Sequence, residues 1–254
     1  MPLCSFFFGV VVGIFLNISL ACLKDHGPKI FSPSLSSSLP KKNPWVGDIK
    51  FFYLLFLIFH EKCRFCRKLI SGQFFFVEAI TAVLFVMSHY FFGSNFPMLF
   101  FSFCFVSFLV LFIISDLKWR LLPHLFNNLF ILCGLFFSAY LSNQPFFVPR
   151  LFNSAGNIVT IGAMLFGLNR LIPNGMGGGD IKMVAGLAAW LGFLKTLLVL
   201  FMASCGGVFL FLVLICGGRI NRKFAIPFGP CLSLGALMVW FYPLFLKNLT
   251  GLDL

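Results

Sequence analysis

Charged residues are scarce in this chain. Only 10% of its 254 residues are Asp, Glu, Lys or Arg, whereas a soluble domain averages about 25%. Hydrophobic residues make up 60% of the chain, and its mean hydropathy is +1.00. Runs of about 20 apolar residues, long enough to span a bilayer, recur along its length. The scarcity of charge excludes an ordinary soluble domain, and the pattern predicts an all-α, polytopic membrane protein.

Acidic residues are the rarest charged class. Seven Asp and Glu face 19 Lys and Arg, which gives a net charge of +12. A basic chain of this kind suggests nucleic acid at first, but its positive charges cluster in loops beside the apolar runs. That distribution is typical of membrane topology and of contact with anionic lipid. We therefore expect the lipid bilayer, and no nucleic acid, as a partner.

A basic segment is missing from the start of the chain. No charged residue precedes Lys24, so the first apolar run lacks the charged region of a signal peptide, and we expect a retained helix. The predicted organisation is a first transmembrane helix at 1–23, a cytoplasmic loop at 24–73 and a membrane-embedded core at 74–254. About eight transmembrane helices are predicted, at residues 3–23, 74–92, 96–114, 123–141, 150–168, 181–194, 196–216 and 228–246.

Eight spans fix the side of the membrane on which each loop lies. The loops at 24–73, 115–122, 169–182 and 217–227 then share one face, and they carry 16 of the 19 Lys and Arg residues. Basic residues accumulate in cytoplasmic loops, so this face is predicted to be the cytoplasmic one.

Two aspartates, Asp116 and Asp180, come to this same predicted face. Asp116 follows an apolar run, and Asp180 ends a cluster with four glycines in the five positions 175–179. Glycine weakens a helix and accepts positive φ, so the cluster is expected to break the helix and to let the backbone approach closely. A carboxylate at the mouth of a membrane helix is energetically costly, so its presence indicates a function. We interpret the pair as one active site; the alternative for Asp180 alone is a helix cap.

Several ordered motifs resemble those of one known family, the type IV prepilin peptidases, which are membrane aspartic proteases with a Gly-x-Gly-Asp motif. Residues 175–183 resemble the family signature, and residues 116–123 resemble its first-aspartate motif, where a proline and then an asparagine follow. Here these are Pro123 and Asn127 or Asn128. Further similar stretches lie at 13–17, 70–71 with 77–78, and 226–230.

The resemblance implies an aspartic-type endopeptidase in a bacterial inner membrane, with Asp116 and Asp180 as catalytic residues facing the cytoplasm. Its substrates would be prepilins or type II secretion pseudopilins, cut where the basic leader meets the apolar helix. Gly177 and Gly179 would position the loop and substrate. Lys182 would share that role or would serve as a positive-inside anchor. Proteolysis by two carboxylates needs no cofactor.

Only one cysteine pair, Cys63 and Cys66, has a spacing typical of a metal site. Structural zinc takes four ligands, and the first of the two Cys-x-x-Cys pairs found in many family members is absent here. Zinc and two reduced thiols therefore both remain open. The resemblance also implies N-methylation of the new N-terminus with S-adenosylmethionine, and the altered loop makes this second activity less secure than cleavage.

Other functions remain open on the sequence alone. These are an intramembrane protease with another substrate, an ion-coupled transporter in which the two aspartates bind a cation, and an inactive scaffold. A transporter would more often have internal repeats and carboxylates near the midplane, which the sequence lacks. Glu78, inside a predicted span, has either a functional role or a partner within the helix bundle.

Reporter fusions test the predicted topology. Fusions after residues 30, 118 and 221 should report the cytoplasm, and a fusion near residue 146 should report the opposite side, because basic loops stay inside. A cytoplasmic signal at 146 would contradict the eight-span topology.

Overall fold

Helices account for all the regular structure that we describe. The computed structural model describes residues 2–31, 72–119, 122, 124–140, 147–171, 176–216 and 228–250. Within these residues there are eight α-helices: α1 (Pro2–Phe31), α2 (Gly72–Phe92), α3 (Phe96–Trp119), α4 (His124–Tyr140), α5 (Phe147–Leu171), α6 (Gly178–Leu191), α7 (Phe193–Cys216) and α8 (Phe228–Thr250). The predicted all-α fold class is confirmed.

The helices follow the predicted apolar runs closely. From α2 to α8, each helix begins within three residues of the predicted start. Three segments are long and apolar enough to cross a membrane, namely Phe96–Lys118, Leu151–Leu171 and Phe193–Cys216. The apolar parts of four other helices are shorter, so the number of spans stays a prediction. Helix α1 extends to Phe31, beyond the predicted end at residue 23.

The chain forms two compact units, Met1–Asn95 and Phe96–Leu254. In the first unit, α1 packs on α2 through glycines. A Cβ at Gly9 would lie 2.7 Å from Ala82 Cα, and one at Gly13 would lie 2.9 Å from Glu78 Cα. Half-buried Glu78 thus lies where the two helices approach closely. The predicted division at residues 23 and 73 stays a prediction, because residues 32–71 lie outside the part of the chain that the structure describes.

An aromatic cluster forms the core of the second unit. Phe105 of α3 stacks on Trp240 of α8 with ring centroids 4.5 Å apart, and it lies 5.1 Å from the ring of Trp190 in α6. The indole Nε1–H of Trp190 donates a hydrogen bond of 3.0 Å to the Phe130 carbonyl of α4. Buried indole N–H groups need such partners. The cluster therefore ties four helices together, including those that carry the two aspartates.

Helices α4 and α6 approach each other at two glycines. A Cβ at Gly134 would lie 2.8 Å from Ala189 Cβ and 2.7 Å from Trp190 Cδ1. On the facing helix, a Cβ at Gly186 would lie 2.6 Å from the Phe130 ring. Small residues at helix crossings allow such close packing in membrane proteins. This contact sets the distance between α4 and α6, the helix whose first turn carries Asp180.

Gly134→Ala tests the close packing of α4 on α6. The new methyl group would overlap Ala189 Cβ, which has no rotamer freedom, so we expect a loss of stability of about 1–3 kcal/mol. The measurement is the thermal unfolding midpoint of the purified protein in detergent. Gly162→Ala on α5, where a Cβ meets no atom within 4 Å, is the matched control and should leave the midpoint unchanged or higher. An unchanged midpoint for Gly134→Ala would show that the helices are not tightly packed there.

Candidate active site

Asp116 lies near the end of α3 and is buried, with 6% of its surface exposed. Its Oδ2 accepts a hydrogen bond of 2.9 Å from the backbone N–H of Gly229, in the first turn of α8. Amides in the first turn have no partner within their own helix, and they lie at its positive end. Such an N–H is a suitable partner for a buried carboxylate.

Gly229 makes this contact sterically feasible. A Cβ at position 229 would lie 2.7 Å from Asp116 Oδ2 and 3.0 Å from Cγ. Any other residue would push the carboxylate away from its present position. The sequence 226–230 was expected to matter only by resemblance, and the backbone contact to Asp116 was not predicted.

Asp180 is the third residue of α6 and is partly exposed. Its carboxylate accepts a hydrogen bond from the backbone N–H of Gly177, the N-cap residue, which offers no side-chain cap of its own. This is the return half of a capping box. Asp180 therefore does contribute to capping its helix, as one of the two sequence interpretations held, and it also lies beside Asp116.

The glycine cluster differs from the prediction. Gly177 is extended, with φ −65° and ψ 140°, and α6 begins at Gly178, so Gly178 and Gly179 are helical. Among the described residues only Gly192 has a positive φ. The predicted break in the helix is present, because Gly177 is extended and α6 begins only at Gly178, but none of these three glycines uses the positive φ that glycine permits. The predicted close approach is present at Gly179, where a Cβ would lie 3.0 Å from Leu122 Cβ.

Asp116 and Asp180 lie within electrostatic reach of each other. Burial, and then the negative charge of Asp116, raise the pKa of Asp180 to about 6, while the hydrogen bond from Gly177 lowers it. Asp180 is at the mouth of α6 and outside the three candidate spans. Two neighbouring carboxylates hold one proton more tightly than either would alone. The arrangement can therefore supply an acid and a base near neutral pH.

Other polar contacts surround the first turn of α6. The Nδ2 of Asn127 donates a hydrogen bond of 3.1 Å to the Gly179 carbonyl, and Asn127 is fully buried whereas Asn128 is exposed. Of the two asparagines that the sequence left open, Asn127 is thus the one at this site. Lys182 Nζ lies 3.5 Å from Nδ1 of His124, at the exposed rim. His124 carried no signal in the sequence.

The candidate metal ligands Cys63 and Cys66 lie outside the described residues. Among the residues that are described, no group of three or more His, Cys, Asp and Glu side chains could hold a metal ion. The zinc site therefore stays a prediction. Of the sequence-predicted site residues, Asp116 and Asp180 interact electrostatically, Gly177 donates to Asp180, and Gly179 precedes it in the first turn of α6. Lys182 lies at the exposed rim near His124, and all five residues belong to the second compact unit.

An all-helical membrane protein with two carboxylates at neighbouring helix ends has the architecture of a membrane aspartic protease. Residues 103–212 match the family model described as "Type IV leader peptidase family", and residues 7–92 match the "Bacterial Peptidase A24 N-terminal domain". The chain belongs to the type IV leader peptidase family. The two matches fall within the two compact units, one in each.

Curated relatives cover most of the chain. A "Prepilin leader peptidase/N-methyltransferase" of Xanthomonas campestris pv. campestris is 28% identical, over 92% of this chain and 88% of the relative. A protein of the same name in Bacillus subtilis is 26% identical, over 93% and 92%. A third protein of this name, from Aeromonas hydrophila, is 31% identical over 71% of this chain and 62% of the relative. No solved structure matches the chain significantly.

Asp116→Asn tests the electrostatic coupling of the two carboxyls. Removing the neighbouring negative charge should lower the pKa of Asp180 from about 6, while burial should keep it above the ordinary value of 3.8. The measurement is a pH titration of the carboxyl stretch by infrared spectroscopy on protein with labelled aspartate. Loss of the titrating band in Asp180→Asn identifies the group. An unchanged pKa in Asp116→Asn would contradict the coupling.

Proposed function

We propose that this chain is a membrane aspartic endopeptidase that cleaves the basic leader from type IV prepilins or type II secretion pseudopilins. The observation that carries the proposal is the pairing of Asp116 and Asp180 at the ends of α3 and α6, within a segment that matches the peptidase family model. The names of the relatives supply the substrate class.

The reaction follows from one shared proton. The ionised carboxyl takes a proton from water, and the oxygen of that water attacks the scissile carbonyl carbon. The protonated carboxyl meanwhile donates its proton to the carbonyl oxygen. When the C–N bond breaks, the departing amine takes a proton from the pair, and a hydroxyl of the tetrahedral intermediate returns one as the new carboxyl forms, so the pair again holds a single proton. Because the two carboxyls titrate together, the roles of acid and base cannot be divided between Asp116 and Asp180.

The surrounding residues would hold this pair in place. The Gly229 N–H fixes the Asp116 carboxylate, and the Gly177 N–H holds Asp180. Gly179 has no side chain between α6 and Leu122, so α6 can lie close to the segment before α4. We propose that Gly177 and Gly179 position the loop and the substrate, and that Lys182 contributes a positive charge at the rim.

The proposed location is the bacterial inner membrane, with the active site facing the cytoplasm. The excess of Lys and Arg in the four loops on the predicted cytoplasmic side supports this orientation. A prepilin presents its basic leader on that side and its apolar helix to the bilayer. The scissile bond between them would then reach the level of the two carboxyls, and the bilayer itself would help to align the substrate.

Methylation of the new N-terminal amine is the second proposed activity. Both of these relatives carry N-methyltransferase in their names. S-adenosylmethionine would supply the methyl group. The resemblance links this activity to the loop at 24–73, which contains Cys63 and Cys66. Most of that loop lies outside the described residues, so we assign no step of methylation to particular side chains.

Asp116→Asn and Asp180→Asn should each abolish leader cleavage, because one carboxyl cannot act as both acid and base. The loss should be orders of magnitude, and the double variant should lose little more, since residues that act as a unit are not additive. The measurement is co-expression with a prepilin in a host that lacks its own prepilin peptidase, followed by mass analysis of the pilin N-terminus. This readout also detects an added methyl group.

Asp253→Asn, outside the segment that matches the peptidase family model, is the control and should cleave normally. All variants are compared at equal amounts in the membrane. Near-normal cleavage by either active-site variant would refute the carboxylate pair. An uncut prepilin with the wild-type protein would favour a transporter, a scaffold or a protease with another substrate.

A further inference from the structure

A single buried side chain, that of Asn127, joins α4 to the first turn of α6. We propose that Asn127 is a positioning residue, which holds the Gly179–Asp180 peptide so that the Asp180 carboxyl lies beside Asp116. The inference rests on the proposed function, because it assigns Asn127 a part in the same site.

The hydrogen bond acts on the peptide group that precedes Asp180. Asn127 Nδ2 donates to the Gly179 carbonyl at 3.1 Å, and this carbonyl belongs to the same planar peptide as the N–H of Asp180. Fixing the plane therefore fixes the position of the Asp180 Cα, and the helical φ at this residue then sets the direction of its side chain. Because Asn127 is fully buried, water does not compete for this bond.

The first turn of α6 depends on stabilising contacts from outside the helix. It starts with Gly178 and Gly179, each of which costs a helix roughly 1 kcal/mol relative to alanine. Its N-cap, Gly177, provides no side-chain hydrogen bond. On the side of α4, the described contacts at Gly179 are packing against Leu122 and the hydrogen bond from Asn127. Without Asn127, the described contacts that hold the turn carrying Asp180 would be its own hydrogen bonds at Gly177 and the packing against Leu122.

The oxygen of the Asn127 amide indicates that this residue does more than stabilise the fold. Its Oδ1 is buried and has no hydrogen-bond partner among the described residues. An unsatisfied buried acceptor costs about 1–3 kcal/mol, which offsets the gain from the Nδ2 bond. An apolar side chain of similar size would serve packing equally well. Such a side chain could not donate a hydrogen bond to the Gly179 carbonyl.

Asn127→Leu separates positioning from stability. The change keeps the branched shape of the side chain at a somewhat larger volume, and it removes both the donor and the unsatisfied oxygen, so the thermal unfolding midpoint should stay equal or rise. The kcat for prepilin cleavage by the purified protein should fall about 10- to 100-fold, because a misplacement of about 1 Å costs that much. KM should change by no more than about twofold, since Asn127 is buried and does not face the substrate. Asn127→Ala should lose kcat similarly and covers the case in which leucine does not fit.

Two further readouts make the result specific. Asn128→Ala, the exposed neighbour on the same helix, should keep the wild-type kcat. In Asn127→Leu, the pH dependence of kcat should shift toward lower pH, because carboxyls that lie further apart no longer raise each other's pKa. A purely structural role would lower the unfolding midpoint and leave the pH dependence in place.

The outcomes distinguish the inference from the function on which it rests. If the wild-type protein does not cleave prepilin, the proposed function fails and takes the inference with it. If the wild type cleaves and Asn127→Leu keeps its kcat, the inference alone is overturned. A fall in kcat that is accompanied by an equal loss in Asn128→Ala would also overturn it, because the effect would then belong to the helix surface as a whole.

Discussion

The hydrogen bond from the Gly229 N–H to Asp116 Oδ2 is the constraint on which the site depends. A buried carboxylate without a partner is costly, and here the first turn of α8 supplies the partner from its positive end. The same helix is anchored about three turns further along, where Trp240 stacks on Phe105 and donates a hydrogen bond to Ser102 of α3. The register of α8 against α3 is therefore fixed at two points. That register decides whether Gly229 faces the carboxylate.

The second carboxyl is held by different means. Asp180 lies in the first turn of α6, and this turn is tied to the Gly177 N–H and, through Gly179, to Asn127. The rest of α6 is fixed by its close contact with α4 at Gly134 and by the Trp190 hydrogen bond. The packing of the helices thus brings the two carboxyls within electrostatic reach, and burial, followed by repulsion from the charge of Asp116, raises the pKa of Asp180. That same repulsion makes the pair able to keep a proton for acid–base chemistry.

The sequence predicted the helices well and pointed to the two carboxyls as the candidate site, because both leave local signals. Apolar runs of the right length define the helices, and an aspartate at the end of such a run is rare enough to stand out. What it did not predict depends on tertiary contacts. The bond from Gly229 to Asp116 joins residues 113 positions apart, and the one from Asn127 to Gly179 spans 52. A backbone N–H has no signature in the sequence. The end of α1 at Phe31 was missed for another reason, since polar residues such as Lys24 end an apolar run without ending a helix.

The most direct test of the account is prepilin cleavage by Gly229→Ala. The three atoms nearest to the added methyl group would all belong to the Asp116 side chain, so the site should change while the fold remains. Gly206→Ala, where a Cβ meets no atom within 4 Å, is the matched control. We expect Gly229→Ala to insert and unfold like the wild type but to lose cleavage by at least about 100-fold, while Gly206→Ala cleaves normally. Near-normal cleavage by Gly229→Ala would contradict the account, because the position of the Asp116 carboxylate would then not matter.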